Sequence, residues 1–478
     1  MGGNPKKVLI ITEYIAPVQA VASIRWTKFA KYLGKDFGYD VTVLTNRKSY
    51  KKGLFQSKPY QKDAALDKDT KWFNCVEIPY SISQFVANGL FNAGRNILDA
   101  VKKRAAGVSK QDEGAESDSL ASAKNQASSI VEATLISSFP EMVFELVDGW
   151  CGKAICRSAI AAPIDWESYD VVISTYAPLW THWVAQTVKS RHPNIRWIAD
   201  FRDPIVNSPR TDTKKNRDLA RKITMGADVV TAVSQGTLDN LFLDSRILSS
   251  VLVNGFDPEE MSGVMREVSD RFSLAYTGTL YSDNSCKSDL DPLFKALDKA
   301  ISSGTIDKNK IVIEYAGTTS YLFERFSCKY PNVPVINHGL LSRDGALELQ
   351  SRSSLLIVAS WNTSAQRGVL TGKVFEYLGR DIPIIGLCSG DVPNSSLRGL
   401  IEGCSAGICY EEADESTYGL LVPFLEQQYH QWEERGMTSR GSDTAERAAQ
   451  YSYPRLAERL VSLIKQAEKS GNTELFSS

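Results

Sequence analysis

Short apolar runs that alternate with helical stretches constrain this chain more than any other feature. Residues 8–11 read VLII, and a polar loop, a helical stretch and a second apolar run at 40–45 follow them. Near-continuous apolar strands separated by helices are typical of a parallel sheet that is covered on both faces. The same alternation recurs over 169–234 and over 272–410. The sequence therefore predicts an α/β fold with two doubly wound parallel sheets.

The length of the chain also favours two domains, because 478 residues exceed what one hydrophobic core usually spans. The segment 251–260, VLVNGFDPEE, lies between the two series of strands. We therefore predict two Rossmann-like domains, at 1–250 and 251–440, that face each other across a cleft. Residues 441–478 follow them as a C-terminal helical segment.

Composition excludes several classes of function. The net charge is −1, so no overall positive field favours nucleic acid. The eight cysteines are scattered and lack the spacing of zinc sites, so we expect reduced thiols and no metal. The acidic triplets at 67–69 and 289–291 are interpreted as solvated charges. The first apolar run is too short for a signal peptide or a membrane span, and we expect a cytoplasmic protein.

A polar segment interrupts the first domain. Residues 107–129 are small and polar, and they cannot bury enough apolar surface to offset the entropy of ordering. Helical stretches at 84–104 and 140–160 flank this linker, within an insertion that spans about 83–162. Two interpretations are open. Either the helices pack their apolar stripes on the domain, or they lie on the inner face of the cell membrane, with the basic residues 102–104 near anionic head groups.

The stretch 367–386 carries the most specific candidate site. It reads RGVLTGKVFEYLGRDIPIIG and lies between two apolar strands, which predicts a helix that begins near Thr371 and Gly372. A helix start beyond the carboxyl ends of parallel strands offers free N–H groups to an anion. Lys373 and Glu376 share one face of this helix. One surface can therefore offer an ammonium group to phosphate and a carboxylate to a ribose diol.

Arginines lie on both sides of this pair. Arg367 precedes the helix and adds a second positive charge for an anion, which we interpret as a nucleoside diphosphate. Arg380 lies four residues after Glu376, so an ordinary ion pair between them is the alternative interpretation of the carboxylate.

Seven motifs occur in order along most of the chain. They are EYIAP with ASIRWTKFAKYL, WIADFRDP, ADVVTAVS, VNGFDPE, AYTGTLY, INHGLLSRDGAL and LTGKVFEYLGRDIPIIG. In this set and order the chain resembles glycosyltransferases of the B fold, in particular the bacterial surface-polysaccharide members of family 4. The resemblance implies two lobes around a cleft, with the final helix at 453–469 returning to the first lobe.

The resemblance implies roles for several residues of the second domain. Glu376 is expected to hold the ribose hydroxyls. Gly278 and Thr279 end the first strand, where a turn without side chains lets amides approach the diphosphate. His338 and Gly339 lie where the backbone of the family commonly reads the nucleobase. Ordinary structural roles, as a strand-end glycine for Gly278 and a hydrogen-bonded histidine for His338, are the alternatives.

In the first domain the candidates follow buried strands. Asp200, Arg202 and Asp203 end a strand in WIADFRDP, where polar groups must pair or face a ligand. Arginine stays protonated and cannot act as a base, so Asp203 or Asp200 is the candidate for contacting or deprotonating an acceptor hydroxyl. A structural arginine–aspartate pair is the alternative. Arg25 and Glu13, from the first motif, are candidates for binding the phosphates or the acceptor. A solvated or helix-capping arginine is the alternative interpretation of Arg25.

Two departures from the family pattern concern the donor. Many members carry two glutamates separated by seven residues, but the position eight residues before Glu376 is Gly368. Many also carry an arginine and a lysine after the TG turn, whereas residues 279–287 read TLYSDNSCK. Arg367 and Lys373 are therefore expected to supply the positive charge.

Together these features predict a metal-independent glycosyltransferase without a cofactor. It is expected to transfer a sugar from a UDP-linked donor to a hydroxyl of a glycan or lipid-linked acceptor in surface-polysaccharide assembly, with the retention of configuration that the resemblance implies. Positive groups in place of a metal stabilise the departing diphosphate in this hypothesis. A nucleotide-sugar epimerase of the same fold and a non-catalytic nucleotide-binding scaffold or activator are the alternatives.

Overall fold

Two parallel β-sheets, each covered by helices, organise the chain. The computed structural model describes residues 5–18, 20–46, 62–78, 149–206, 211–262, 266, 269–283 and 286–474. Within these residues, the N-terminal lobe contains a sheet of seven strands, and the C-terminal lobe contains a main sheet of six. The predicted α/β class with two doubly wound sheets is confirmed.

The N-terminal sheet is parallel throughout. Its strands are β1 (Lys7–Thr12), β2 (Asp40–Asn46), β3 (Asn74–Ile78), β4 (Val171–Tyr176), β5 (Arg196–Phe201), β6 (Val229–Ala232) and β7 (Leu248–Val251). They lie in the order β3-β2-β1-β4-β5-β6-β7. Buried Val8 of β1 lies opposite Val41 on one side and Val171 on the other. Strands β2 and β3 are added on one side of β1, and β4 to β7 are added on its other side. The strand order therefore reverses between β1 and β4.

The main C-terminal sheet repeats this order. Its strands are β8 (Phe272–Thr277), β11 (Ile311–Ala316), β12 (Val335–Asn337), β13 (Leu355–Trp361), β14 (Ile384–Ser389) and β15 (Gly407–Glu411), and a short hairpin of β9 (Ser282–Asp283) and β10 (Cys286–Lys287) follows β8. The order is β12-β11-β8-β13-β14-β15, again with parallel pairs. Here the strand order reverses between β8 and β13.

Helices connect the strands and cover both sheets. In the N-terminal lobe and the connection they are α1 (Val21–Phe37), α2 (Ala64–Asp67), α3 (149–160), α4 (Trp180–Arg191), α5 (Lys214–Thr224), α6 (Gln235–Asp239) and α7 (Pro258–Ser262). In the C-terminal lobe and beyond they are α8 (Asp291–Ser302), α9 (Ser320–Lys329), α10 (Arg343–Ser351), α11 (Gly372–Leu378), α12 (Ser396–Gly403), α13 (Leu421–Arg435), α14 (Thr444–Ala449) and α15 (Tyr453–Glu474).

Helix α1 buries an unusual mixture of side chains. Trp26 and Phe29 lie in the core, as the apolar periodicity of the helix requires. Arg25, Lys28 and Lys31 are buried as well, each with no more than 3% of its surface exposed. Buried charges are stable only when they are paired and hydrogen bonded. Helix α1 must therefore face a matching set of carboxylates.

The final helix, α15, packs on the N-terminal lobe. The ring of Tyr453 lies edge-on against Phe29 of α1, with 5.5 Å between the ring centroids. Leu460 is fully buried in the shared core. Near the end of the helix, Glu468 accepts from Lys6 Nζ at 2.6 Å. The C-terminal segment therefore belongs to the core of the first lobe.

Part of the predicted insertion is visible as helix α3. Its residues Cys151, Ile155 and Ala159 are buried against Trp180 and Val184 of α4, so this stretch packs its apolar stripe on the domain. The predicted helix at 84–104, the linker at 107–129 and residues 140–148 lie outside the described residues. In the part of the chain that is described, no helix is long and apolar enough to span a membrane.

Candidate functional site

The carboxyl edge of the C-terminal sheet brings together most of the predicted donor-site residues. Gly278 and Thr279 follow β8, and the loop 362–371 follows β13 and leads into α11. Glu376 and Lys373 lie on that helix. The order in which the chain adds strands to the sheet reverses between β8 and β13. Ligands of such sheets are expected beyond the carboxyl ends of the strands at this point.

Glu376 lies at the centre of a polar cluster. Its Oε1 atom accepts from Gln350 Nε2 at 2.7 Å and from Lys373 Nζ at 3.2 Å. Its Oε2 atom lies 3.6 Å from Arg343 Nη1. The side chain is 12% exposed, and protein groups orient both of its oxygens.

These neighbours keep Glu376 ionised. Burial alone raises the pKa of its carboxyl group, but the charges of Lys373 and Arg343 and the hydrogen bonds from Gln350 and Lys373 outweigh burial and lower the pKa to about 2. The predicted alternative, a pair with Arg380, takes an indirect form. Arg380 Nε donates to Gln350 Oε1 at 3.2 Å, so Gln350 lies between the arginine and the carboxylate.

The start of helix α11 has one polar side-chain atom that no other described residue satisfies. Thr371 occupies the N-cap position, but its side chain makes no capping hydrogen bond. Its Oγ1 atom is buried and has no hydrogen-bond partner among the described residues. The space beside Gly372 is open, because a Cβ atom there would meet no heavy atom within 4 Å. A hydroxyl group and open space therefore lie in the two residues that precede Lys373.

Glycines bring three strand ends close together. Gly278 has a φ of 146°, which residues with side chains rarely adopt. A Cβ atom on Gly317 would lie 1.9 Å from Gly278 O, and Gly317 N–H donates to Gly339 O at 2.8 Å. The Oγ1 atoms of Thr279 and Thr318 lie 3.1 Å apart on the surface. The glycines therefore let the backbone segments beyond β8, β11 and β12 approach one another closely.

The His338 side chain serves the lobe itself. Its Nε2 atom lies 2.7 Å from Oε2 of the buried Glu314, which also accepts from Arg352 Nη2 at 2.6 Å. The backbone N–H groups of His338 and Gly339 donate to acceptors in the same lobe. The His338 side chain therefore has the alternative role, that of a hydrogen-bonded structural histidine. The contact of this segment with a nucleobase stays a prediction.

The loop before α11 touches the N-terminal lobe. A Cβ atom on Gly236 of α6 would lie 2.1 Å from Arg367 O. Gly368 has a φ of 71°, and a Cβ atom there would lie 3.2 Å from Gly236 N and 3.4 Å from Ser234 Oγ. A glutamate at 368 would meet both a left-handed backbone and the opposite lobe, which explains why glycine stands there. The Arg367 side chain is exposed.

Asp200 has a structural role, which corrects its prediction as a catalytic candidate. It is fully buried. Its two oxygens accept from Arg25 Nη2 at 2.7 Å, Arg25 Nε at 3.2 Å, Trp26 Nε1 at 3.2 Å, Thr175 Oγ1 at 3.0 Å and Thr231 Oγ1 at 2.8 Å. With five donors around it and no exposure, this carboxylate cannot contact an acceptor.

The hydrogen bonds of Arg25 are likewise made to groups within the protein. Besides Asp200, it donates from Nη2 to Leu252 O at 2.8 Å, and from Nη1 to Val253 O at 2.8 Å and to Asn254 Oδ1 at 3.2 Å. These acceptors follow β7, where the chain leaves the first sheet. The predicted contact of Arg25 with phosphate or acceptor is wrong, because its guanidinium group fastens the connection between the lobes.

The remaining first-domain candidates lie at the carboxyl edge of the N-terminal sheet. Asp203 has 57% of its side chain exposed and lies 3.5 Å from Arg202 Nε. Desolvation raises the pKa of Asp203, Arg202 opposes this and Asp200 adds to it, so the net direction is upward. Arg202 also donates to a backbone carbonyl at 3.0 Å. Glu13 accepts from Trp180 Nε1 at 2.7 Å.

A cluster of buried charges was not predicted. Lys28 Nζ lies 2.6 Å from Asp69, 2.7 Å from Asp257 and 2.7 Å from Glu260, and Lys31 Nζ lies 2.8 Å from Asp257. Burial lowers the pKa of Lys28, but the three carboxylates outweigh it and raise the pKa. The three carboxylates are close enough to hold a metal ion, but the cations of Lys28, Lys31 and Arg343 already pair with them.

This cluster corrects the interpretation of 67–69 as solvated charges, because Asp69 is buried. The positions of the two lysines in the sequence could have indicated this cluster. In ASIRWTKFAKYL, Lys28 and Lys31 fall on the same helical face as apolar residues, which requires buried partners. The partners themselves lie some 40 and 230 residues away along the chain, and periodicity cannot identify them.

Solved structures share this architecture over nearly the whole chain. An E. coli trehalose-6-phosphate structure bound with UDP-2-fluoro glucose aligns with a TM-score of 0.60 at 10% identity, covering 96% of this chain and 99% of that chain. A trehalose-6-phosphate synthase from Burkholderia multivorans gives 0.56 at 10%, covering 98% and 100%. The N-terminal domain of Candida albicans trehalose-6-phosphate phosphatase gives 0.58 at 11%, covering 98% of each chain.

No protein-family model matches the chain, and no curated protein sequence matches it. At about 10% identity the structural likeness is one of fold. The two lobes have the B-type glycosyltransferase architecture that the motifs predict. The likeness does not distinguish family 4 from other families with this fold.

Proposed function

We propose that this protein is a glycosyltransferase that takes its sugar from a UDP-linked donor bound at the carboxyl edge of the C-terminal sheet. The observation that carries the proposal is the ionised Glu376 beside Lys373 at the point where β8 and β13 diverge. A carboxylate there can accept hydrogen bonds from the two ribose hydroxyls, while the ammonium group pairs with phosphate. A neighbour of the same fold bound with UDP-2-fluoro glucose supports UDP as the nucleotide.

The diphosphate fits the surroundings of Lys373. Gly278 ends β8 without a side chain, and the open space beside Gly372 admits an anion next to the first amides of α11. In this proposal Lys373 and the exposed Arg367 carry the positive charge that stabilises the departing diphosphate, in place of a metal. The hydroxyl group of Thr371, which has no partner among the described residues, belongs to the same region.

The acceptor is proposed to bind at the facing edge of the N-terminal sheet. Asp203 is the exposed carboxylate there, and its raised pKa suits a group that takes a proton from an acceptor hydroxyl. We propose a glycan or lipid-linked acceptor of surface-polysaccharide assembly and retention of configuration, both from the motif resemblance. Membrane contact through 84–104 stays a prediction, because that stretch lies outside the described residues.

Nucleotide binding tests the donor site. UDP, GDP, ADP and CDP are added to the full chain, and thermal unfolding and titration calorimetry are recorded. We expect UDP to stabilise the protein by about 2.7 kcal/mol at a hundredfold excess over its dissociation constant. Glu376→Ala should remove this stabilisation, whereas Glu402→Ala, which changes an exposed helical glutamate paired with Arg398, should not. Unchanged UDP affinity in Glu376→Ala refutes the assignment of the ribose site.

Turnover separates the candidate activities. UDP-sugars are incubated with lipid-linked glycans, with sugar phosphates or with no acceptor, and the products are identified by mass spectrometry. Transfer to an acceptor supports the proposal and identifies the acceptor class. Conversion of the donor alone indicates an epimerase. Tight UDP binding without turnover on any acceptor indicates a scaffold.

A further inference from the structure

Arg343 has no role in the motif pattern, yet it lies among three carboxylates. It is the first residue of α10, and 15% of its side chain is exposed. Its Nη2 atom donates to Glu260 Oε2 at 2.8 Å. Its Nη1 atom lies 3.6 Å from Glu376 Oε2, and its Nε atom lies 3.9 Å from Asp63 Oδ2. One guanidinium group thus faces three acids.

These acids come from three different parts of the fold. Asp63 belongs to the N-terminal lobe, where it caps helix α2. Glu260 lies on α7, in the connection between the two sheets, and its Oε1 atom pairs with Lys28 Nζ of α1 at 2.7 Å. Glu376 belongs to the proposed donor site. Alternating charges therefore run without interruption from α1 to α11, in the order Lys28, Glu260, Arg343 and Glu376.

We infer that Arg343 is a positioning residue that adjusts the Glu376 carboxylate to the arrangement of the two lobes. The inference rests on the proposed function, since it takes Glu376 to be the group that binds ribose. The two oxygens of Glu376 are held differently. Gln350 and Lys373 hold Oε1 from within the C-terminal lobe, whereas Oε2 faces only Arg343 among the hydrogen-bond and ion-pair contacts of the described residues.

The distances indicate how the coupling works. Arg343 Nη2 lies 2.8 Å from Glu260, a hydrogen-bond distance, whereas Nη1 lies 3.6 Å from Glu376, so Glu260 holds the guanidinium group more tightly than the donor carboxylate does. Its donors are fixed in one plane, so a tighter hold on one acid loosens the hold on another. If Glu260 lost its charge, Arg343 would move onto Oε2 and compete with the ribose. If Arg343 were removed, Oε2 would lose its orientation.

Both changes should therefore weaken nucleotide binding through Glu376. The dissociation constant of UDP is measured by calorimetry on the full chain for the wild type, Arg343→Gln, Arg343→Lys and Glu260→Gln. We expect about tenfold weaker binding for Arg343→Gln and for Glu260→Gln, which is within the usual range of coupling between linked sites. Arg343→Lys keeps the charge and should restore part of the affinity.

The matched control is Arg440→Gln. Arg440 is a buried arginine of the same lobe that donates to Leu378 O, at the other end of α11 from Lys373, and lies 3.6 Å from Asp381. Its loss should lower the thermal stability of the lobe and leave UDP affinity unchanged. This separates a positioning effect from general destabilisation.

Two further readouts test whether Arg343 acts through Glu376. In a Glu376→Gln background, Arg343→Gln and Glu260→Gln should change UDP affinity by less than twofold, because the carboxylate they orient is gone. In the otherwise wild-type chain, Arg343→Gln should move the acid limb of the UDP-binding profile to higher pH, since Arg343 helps to lower the pKa of Glu376.

The outcomes distinguish this inference from the proposed function. Failure of the wild-type chain to bind UDP overturns both. Binding that depends on Glu376 but is unchanged in Arg343→Gln overturns the inference alone. An equal loss in Arg343→Gln with and without Glu376 also overturns it, because Arg343 would then act on the nucleotide directly or through another group.

Discussion

The replacement Arg25→Met should destabilise the N-terminal lobe more than almost any other single change. Arg25 is 3% exposed and makes five hydrogen bonds, two to Asp200 and three to residues 252–254. Methionine fills part of the volume but satisfies none of these acceptors. The change leaves Asp200 charged and buried, with only neutral donors from Trp26 and two threonines.

The expected cost follows from that stranded charge. Removing one partner of a buried ion pair typically costs about 3–5 kcal/mol. In a domain of about 150–250 residues each kcal/mol lowers the melting temperature by roughly 2–4 °C, so the midpoint for the N-terminal lobe should fall by about 6–20 °C. The assay is scanning calorimetry, with separate transitions fitted for the lobes if the two-state assumption fails.

Two controls make the result decisive. Arg455→Met changes an arginine of α15 whose side chain is 67% exposed, and it should alter stability by less than about 0.5 kcal/mol. Adding Asp200→Asn to Arg25→Met removes the stranded charge and should recover part of the loss. A loss below about 1 kcal/mol for Arg25→Met, or a double variant less stable than the single one, would refute the reasoning.

Further predictions concern the seam between the lobes and acid stability. Gly236→Ala would stabilise an isolated helix by roughly 0.5–1 kcal/mol, but here its Cβ atom would lie 2.1 Å from Arg367 O. We therefore expect net destabilisation and a larger radius of gyration by X-ray scattering, and a stabilised, equally compact variant would contradict the close contact. The pKa of Glu376 is lowered from its ordinary 4.5 to about 2, so its contribution to stability is complete above about pH 4.5 and is lost as the pH falls towards 2. In Glu376→Gln, the free energy of unfolding should fall less steeply with decreasing pH in that window. Denaturant titrations at several pH values measure this, and the same dependence of unfolding free energy on pH in both proteins would argue against it.

The fold could be predicted from the sequence because its strands are nearly continuous apolar runs. VLII at 8–11 and LLIVAS at 355–360 are buried on both faces, and that pattern leaves few alternatives to a parallel sheet. The cluster around Glu376 was partly predictable, because Lys373 and Glu376 are neighbours on one helix. Gln350 and Arg343 were not, since they come from the preceding βα unit and only the folded sheet brings them to α11.

The first-domain site shows the opposite case. WIADFRDP contains three charged residues within four positions, and local spacing cannot tell which of them faces inward. The pleat of β5 directs Asp200 into the core, towards an arginine 175 residues earlier in the chain. Asp203, beyond the end of the strand, is left at the surface. Burial, which the sequence does not specify residue by residue, decides between the structural and the chemical role.

The path of α15 limits how this protein can be divided. A fragment ending at residue 251 would contain the whole first sheet, yet it would lack Tyr453, Leu460 and the rest of the apolar stripe that covers α1. Such a fragment should expose a large apolar surface and aggregate. A synthetic peptide of residues 453–474 added in trans should bind that surface and return the fragment to solution.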